Sequence, residues 1–599
     1  MHGHGHNGYI AEDEILGKAY DHQLMKRMLG YVRPYWWALL LGVILVFLAT
    51  GVFLAGPRLI GMAIDLGIKP KDPKALGRIA LIYLVVVIMS RWVFGFISAY
   101  VLAYLGQKTM YDLRMQLFSH LQKMSLRFFD KNPVGRLVTR VSNDINVLSE
   151  MVSVGLVTVF GDIFLLGGLI IAMLWLNTRL ALMVFATAII LVPITFYFQT
   201  KIRRAWREIR KKLARINAYI NENVMGIRVT KLFNREDQNF EKFKTINQEH
   251  FQAAYDSVYY HALFVPFVTV LGAVAVGLVL YYGGGDVIQD HIELGALVAF
   301  ISYTMHFFEP VRDLADKYHI FQAAMSSAER VFGLLDTPEE IKNQAVPVKI
   351  EDIKGALEFD SVSFAYDDKN YVLKNVSFKV APGEHIALVG ITGGGKSTVI
   401  NLLSRFYDIK QGRILLDGVD IKEMSQQDLR RSLGIVLQDV FLFSGNIMQN
   451  IRLGEKDISL KRVEEVAHYV NAHTFIDHLP NGYFSRVEER GVTLSAGQRQ
   501  LLSFARALVF DPRILILDEA TSSVDLETER YIQDAIKKLI QGRTAVIIAH
   551  RLSTIQNVDR IFVVHQGEIK ERGSHQELLK KRGLYYKLYQ MQYQMTKTS

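Results

Sequence analysis

Six long apolar stretches crowd the first half of this chain, each apolar enough to span a bilayer core, which takes about 20 helical residues. The first runs from Trp36 to Gly56, the second from Ile79 to Gly106 and the third from Met151 to Leu176. A tight Asn177-Thr178-Arg179 turn leads into the fourth, Leu180 to Phe198. The fifth covers Ala262 to Gly285, and the sixth has a short core, Leu294 to Phe308. An even number of spans puts both ends on one side.

Basic residues say which side. Residues 107–150 and 199–257 hold 7 and 13 Lys/Arg, whereas the opposite loops are short, with Lys69, Lys71, Lys74, Arg78 and Arg179. In aggregate this bias places both termini and the two long stretches in the cytoplasm. The formal charge of +10 is therefore compatible with a membrane protein as well as with a nucleic-acid binder. No cysteine is present, which excludes a disulfide framework and thiolate chemistry. The polar start, with His2, His4 and His6, has no apolar core behind a basic segment, so no cleavable signal peptide is expected and residues 1–20 read as a flexible tail.

Both long polar stretches carry apolar residues at helical spacing, as in DLRMQLFSHLQKM and RRAWREIRKKLARINAYI, so the membrane helices are expected to continue beyond the bilayer. Turn regions follow at 128–137 and 221–233, and the sixth helix is expected to run on past Pro310. Residues 21–335 thus form a transmembrane domain and 336–355 a polar linker. From Ala356 to Ser599 the pattern becomes strand, turn and helix, the mark of an α/β nucleotide-binding fold.

The chemistry starts at Gly390-Ile391-Thr392-Gly393-Gly394-Gly395-Lys396-Ser397, with Thr398 next, which fits the phosphate-loop pattern between an apolar run, HIALVG, and a helical TVINLLSRFY. Glycines let backbone N–H groups wrap a phosphate, the helix N-terminus adds positive potential, and Lys396 neutralises oxygens. Ser397 supplies a hydroxyl suited to Mg²⁺. Ile514 to Leu517 read as a buried parallel strand ending in Asp518 and Glu519, at the end where doubly wound sheets place ligands. Asp518 is expected to hold Mg²⁺ through water and Glu519 to polarise the attacking water.

Residues 356–580 resemble an ATP-binding cassette, and nearly the whole chain resembles a half-transporter of the ABC exporter family. Leu494-Ser495-Ala496-Gly497-Gln498 resembles the family signature LSGGQ. Gln438 falls where the family has its Mg²⁺- and interface-sensing glutamine, and Tyr366 matches the aromatic that stacks on adenine. Ser523-Val524-Asp525 matches the dimer-contacting loop and His550 the switch histidine. The resemblance implies an α-helical transmembrane domain of six helices plus an α/β phosphate-loop cassette with a helical subdomain. It also implies ATP and Mg²⁺ as cofactors and hydrolysis by a dimer of cassettes. Each ATP would lie between one phosphate loop and the other chain's Ser495, Gly497 and Gln498. The turns near 128–137 and 221–233 resemble the coupling helices that pass cassette motion to the membrane.

Three positions depart from the family pattern: Ala496 replaces a Gly, Gly394 a Ser or Ala, and Glu488 a Gly. An altered signature beside Glu519 and His550 resembles one kind of chain in heterodimeric exporters, so a heterodimer with a second half-transporter is expected in preference to a homodimer. The methyl group of Ala496 mainly restricts backbone freedom.

At membrane depth stand Arg91, Asp162 and His306, functional candidates because a charge there is costly. The alternatives are that Arg91 pairs with Asp162 or that these groups face a water-filled cavity. Trp92, Phe94, Phe160, Met173, Met305 and Phe307 are candidate cavity-lining residues. The expected function is ATP-driven export of amphiphilic substrates, lipids or drug-like compounds, by a multi-pass protein of a prokaryotic cell membrane. An ATP-gated channel or regulatory ATPase would need damaged catalysis, which intact Glu519 and His550 argue against. A DNA-associated ATPase does not need six spans, so no nucleic-acid partner is expected.

Overall fold

The computed structural model describes residues 21–367, 369–391, 393–518, 526–548 and 555–598. They divide into two units, one reaching Gln122 and joined by Gly135–Thr337, the other Lys123–Val134 with the residues from Pro338 onward.

The first unit opens with the helix His22–Val32. Asp21 caps it, its Oδ1 accepting from the backbone N–H of Gln23 at 2.8 Å and Leu24 at 3.2 Å. Met25, Met28 and Val32 recur at helical spacing and form its buried face. Counting the segment it opens, the described residues hold six helices long and apolar enough to cross a membrane, in His22–Ile68, Pro73–Lys123, Val134–Leu176, Thr178–Met225, Glu236–Ile288 and Leu294–Val311. At 1.5 Å per residue the 51-residue second helix is about 76 Å long, well over twice a hydrocarbon core of about 30 Å. The sixth runs unbroken through Pro310 to Leu335. The fourth and fifth form an antiparallel pair beyond the apolar zone, where Lys212 and Arg215 both reach Glu249, at 2.7 and 2.8 Å.

Charges inside this unit find partners from distant helices. Asp162 on the third helix pairs with Lys317 on the sixth. The expected pairing of Arg91 with Asp162 is therefore overturned: Lys317 takes the carboxylate, and the Arg91 guanidinium lies over the ring of Phe53. Two of the aromatic and Met candidates also leave the cavity list. Met173 and Phe307 are buried in a helix core with Leu169, Leu180 and Phe300, whereas Trp92, Phe160 and Met305 stay exposed. The first and sixth helices touch through Gly61 and Gly295, where a Cβ on Gly295 would stand 2.1 Å from the Gly61 carbonyl oxygen. Asp65 Oδ1 accepts from the Gly295 N–H at 2.8 Å, supplying an orphan donor at the start of the sixth helix.

The second unit is built on two sheets. Its strands are β1 (Leu357–Phe364), β2 (Leu373–Val380), β3 (His385–Val389), β4 (Gln411–Leu416), β5 (Val419–Asp420), β6 (Leu433–Val436), β7 (Gly445–Asn446), β8 (Arg486–Val487), β9 (Ile514–Asp518), β10 (Thr544–Ile548), β11 (Arg560–His565) and β12 (Glu568–Gly573). A six-stranded sheet runs β12-β11-β3-β10-β9-β6, a four-stranded antiparallel sheet runs β2-β1-β4-β5, and β7 and β8 form a short ribbon beside them. In the larger, β3 (His385–Val389), β6 (Leu433–Val436), β9 (Ile514–Asp518), β10 (Thr544–Ile548) and β11 (Arg560–His565) are parallel, with β12 (Glu568–Gly573) antiparallel at one edge. The continuous apolar run of β9 has a direct cause. Ile514 and Ile516 enter the core shared with β1 (Leu357–Phe364) and the helix Lys396–Leu403, while Leu515 and Leu517 enter the core shared with the helix Ala496–Leu508. A strand buried on both faces has no solvent side to alternate toward.

Lys123–Val134 belongs to this second unit. Its helix Leu126–Lys131 carries Asp130, which accepts from the Tyr407 hydroxyl. Ser125 donates to Glu340 at 2.9 Å, and Arg127 lies 3.9 Å from the same carboxylate.

Candidate nucleotide-binding site

Register places the carboxyl ends of four parallel strands in one row. Leu388 of β3 sits opposite Ile548 of β10, Ile548 opposite Asp518 of β9, and Leu517 opposite Val436 of β6. The phosphate loop leaves the end of β3, Asp518 ends β9, and Gln438 follows β6 by two residues with an exposed side chain. Glu519, His550, Thr392 and Ser523-Val524-Asp525 lie outside the described residues.

The loop is shaped by its glycines. Gly393 and Gly395 have φ of 80° and 103°, a left-handed backbone that side chains disfavour. A Cβ on Gly395 would stand 2.8 Å from Leu373, and one on Gly394 would stand 3.0 Å from the Ile391 carbonyl oxygen. Lys396 opens the helix Lys396–Leu403 and is buried, its ammonium donating to the carbonyls of Gly390 at 2.8 Å and Ile391 at 3.1 Å. Ser397 beside it is exposed in the first helical turn. This cradle, with a lysine folded over it and backbone N–H groups at a helix start, fits a polyphosphate. The Ser397 hydroxyl and the Asp518 carboxylate are hard oxygen ligands of the kind Mg²⁺ takes.

Tyr366 lies beside the same helix. Its hydroxyl donates to Thr398 Oγ1 and accepts from Asn401 Nδ2, both at 3.2 Å, and its ring meets Tyr407 edge-on at 5.0 Å. The half-buried ring is thereby fixed next to the phosphate loop.

Ser495 begins the helix Ala496–Leu508 with a reciprocal cap. Its Oγ accepts from the Gln498 N–H at 3.2 Å, and Gln498 Oε1 accepts from the Ser495 N–H at 2.9 Å. Ala496 is the first residue of that helix, so its methyl group meets ordinary helical geometry.

Two residues not singled out from the sequence hold this region. Arg506, farther along the same helix, donates to the Phe441 carbonyl at 2.9 Å, the Asn450 carbonyl at 2.9 Å and Asn450 Oδ1 at 3.2 Å. Asn450 in turn exchanges two 2.8 Å bonds with the backbone of Phe443. The segment that follows Gln438 is thus lashed to the helix begun by Ser495. Burial pulls the Arg506 guanidinium below the usual arginine value. A lone cation within the apolar run LLSFARAL was the available signal.

These features together define a membrane-spanning helical domain joined to a phosphate-loop cassette. The model of the ABC transporter transmembrane region matches residues 39–311, and that of the ABC transporter cassette matches 373–522. The ABC transporter ATP-binding protein YknV of Bacillus subtilis is 41% identical, covering 98% of this chain and 97% of its own length. An ATP-dependent lipid A-core flippase of Syntrophus aciditrophicus is 36% identical over 96% of this chain and 95% of its own. A putative multidrug export ATP-binding/permease protein of Bacillus subtilis, YgaD, is also 36% identical, over 95% and 99%. The chain belongs to the ABC transporter family and is a half-transporter of the exporter type, an ATPase coupled to transport.

Proposed function

We propose that this chain exports amphiphilic molecules, lipids or drug-like compounds, as one half of a dimer, from a prokaryotic cell membrane with its cassette and both termini in the cytoplasm. The observation that carries the reading is the fusion, in one chain, of six long apolar helices with a cassette whose phosphate loop and Ser495 cap are both formed. The similarity to a lipid A-core flippase and to a putative multidrug exporter supports the same cargo class.

In this reading Gly390 to Gly395, Lys396, Ser397 and Thr398 hold the ATP phosphates, and Tyr366 holds the adenine. Ser397, Gln438 and Asp518 hold Mg²⁺, which supplies charge neutralisation to the phosphates. Glu519 takes the proton of the water that attacks the γ-phosphorus while the bond from that phosphorus to the bridging oxygen breaks and ADP leaves, and His550 contacts the same phosphate. The second cassette supplies its Ser495, Gly497 and Gln498 counterparts, with a helix start directed at the γ-phosphate. The segments 128–137 and 221–233 couple cassette motion to the membrane helices.

The partner is a different half-transporter, as the altered signature suggests. A second reading, a homodimer, is favoured by the regular helical geometry around Ala496 and the complete Ser495–Gln498 cap. The test is the steady-state ATPase rate of the purified chain alone in lipid, beside its Glu519→Gln variant. Turnover that disappears in the variant means that the chain completes its own sites. Absence of turnover in folded protein, restored by a second chain, establishes the heterodimer. Turnover equal in both proteins would remove Glu519 from the reaction.

A further inference from the structure

The helix His22–Val32 buries Met25, Met28 and Val32 on one face and exposes Lys26, Leu29, Gly30 and Arg33 on another. On a third face stand Arg27 and Tyr31, one turn apart, and both reach Phe332 near the end of the sixth helix. The Arg27 guanidinium lies 4.5 Å from the Phe332 ring centroid, and the Tyr31 ring stacks on the same ring at 6.0 Å and 18°. Phe332 is fully buried as a result. Arg27 Nη1 also pairs with Asp336 Oδ2 at 2.7 Å. Asp336 caps the sixth helix, its N–H donating to the Phe332 carbonyl at 2.9 Å, and the polar linker starts there.

Further bonds run to the second helix. The Tyr31 hydroxyl donates to Gln116 Oε1 at 2.6 Å, and the Tyr35 hydroxyl donates to Asp112 Oδ2 at 2.5 Å. Each pair of positions is four residues apart, so two matched rungs set the register of the antiparallel segments. Tyr31 therefore holds both neighbours, the sixth helix by its ring and the second by its hydroxyl.

Phe332 stands 21 residues beyond Val311, the last residue of the sixth apolar span, which is about 32 Å of helix. A small tilt at the membrane becomes a large displacement at that distance. Apolar burial of Met25, Met28, Val32 and Phe332 supplies the grip. The Arg27–Asp336 pair is largely exposed, so it adds little energy and mainly fixes where the helix lands. Any movement that shifts Asp336 against Gln116 has to strip Phe332 from Arg27 and Tyr31.

We propose that the helix His22–Val32 is a strap that ties the far end of the sixth helix to the second and opens in each ATP cycle. It is a restraint outside the nucleotide site and apart from the segments 128–137 and 221–233. It depends on an ATP-driven cycle and not on the cargo or on the identity of the second chain.

The chain has no cysteine, so thiols can be placed singly or in pairs. The full chain is studied in lipid nanodiscs, with a second half-transporter where turnover requires one. Arg27→Cys combined with Asp336→Cys is bridged by a flexible bis-methanethiosulfonate. The bridge should lower ATP turnover about tenfold, and a reductant should restore it. Gly30→Cys, exposed with nothing within 4 Å, should carry the same reagent without loss of turnover. A second readout needs no rate. The Val32→Cys thiol, buried beneath the closed strap, should react with a maleimide severalfold faster with Mg-ATP than without it. Turnover unchanged by the bridge, or equal reaction of the Val32→Cys thiol in both conditions, overturns the strap.

Discussion

Arg330 grips Asp144 through two charge-assisted bonds, Nη2 to Oδ1 at 2.6 Å and Nε to Oδ2 at 3.0 Å, and so ties the sixth membrane helix to the third. Ser327 donates to the same carboxylate at 3.0 Å, and Asp144 is buried at 5% exposure. Removing one partner strands the other's charge, whereas removing both leaves no charge unpaired. Asp144→Ala should cost about 2–4 kcal/mol in the stability of the helical unit. The Asp144→Leu, Arg330→Met double variant should melt above either single variant. A double variant as unstable as the sum of its parts would mean that the pair does not couple.

The Gly61–Gly295 contact makes a sharper steric prediction. A Cβ on Gly295 would meet the Gly61 oxygen at 2.1 Å and Asp65 Oδ2 at 2.2 Å, and a backbone carbonyl cannot swing away as a flexible side chain does. Gly295→Ala should therefore force the first and sixth helices apart and cost about 1–3 kcal/mol, read as a lower melting temperature in detergent. Gly77→Ala, inside the helix Pro73–Val87 at a position with nothing within 4 Å, is the control and should hold or slightly raise the melting temperature. Equal melting of the two variants would show that the helices do not touch at these glycines.

What was legible in the sequence was local. Spans show as apolar length, helix extensions as spacing near 3.6 residues, and the phosphate loop as a fixed pattern between a strand and a helix. What was not legible depends on distant pairing. Lys317 reaches Asp162 across 155 positions and Arg330 reaches Asp144 across 186, and neither lysine nor arginine stands out within a polar helical extension. Arg91 and Asp162 were matched by charge and depth, yet depth does not say which faces of two helices meet. Arg506 and Asn450 were hidden for a related reason, since their role is to hold backbone carbonyls and N–H groups, which carry no sequence pattern.

Lys396 gives the direct test of the nucleotide site. Its ammonium folds onto the loop carbonyls of Gly390 and Ile391, where it neutralises a phosphate without moving far. Lys396→Ala should weaken ATP binding at least about tenfold, measured with a fluorescent ATP analogue. Hydrolysis should fall with binding, and the melting temperature without nucleotide should hold. Unchanged affinity would place the phosphates elsewhere.

The cassette should also lose stability in mild acid, because of one histidine pair. His468 and His473 stack with ring centroids 4.0 Å apart, and among the described residues no partner reaches the buried His473 Nδ1. Burial and then His468 pull the His473 imidazole below its ordinary value of 6.5; Asp477 opposes this and Lys538 adds to it. The unfolded chain therefore takes up a proton more readily than the folded one, so stability rises with pH. This contribution is complete above about pH 6.5 and is lost as pH falls from there toward the folded value. The melting temperature should drop between about pH 7.5 and 5.5, and His473→Phe, which keeps the ring stack without the proton site, should reduce that drop. An identical pH profile in the variant would assign the acid sensitivity to other groups.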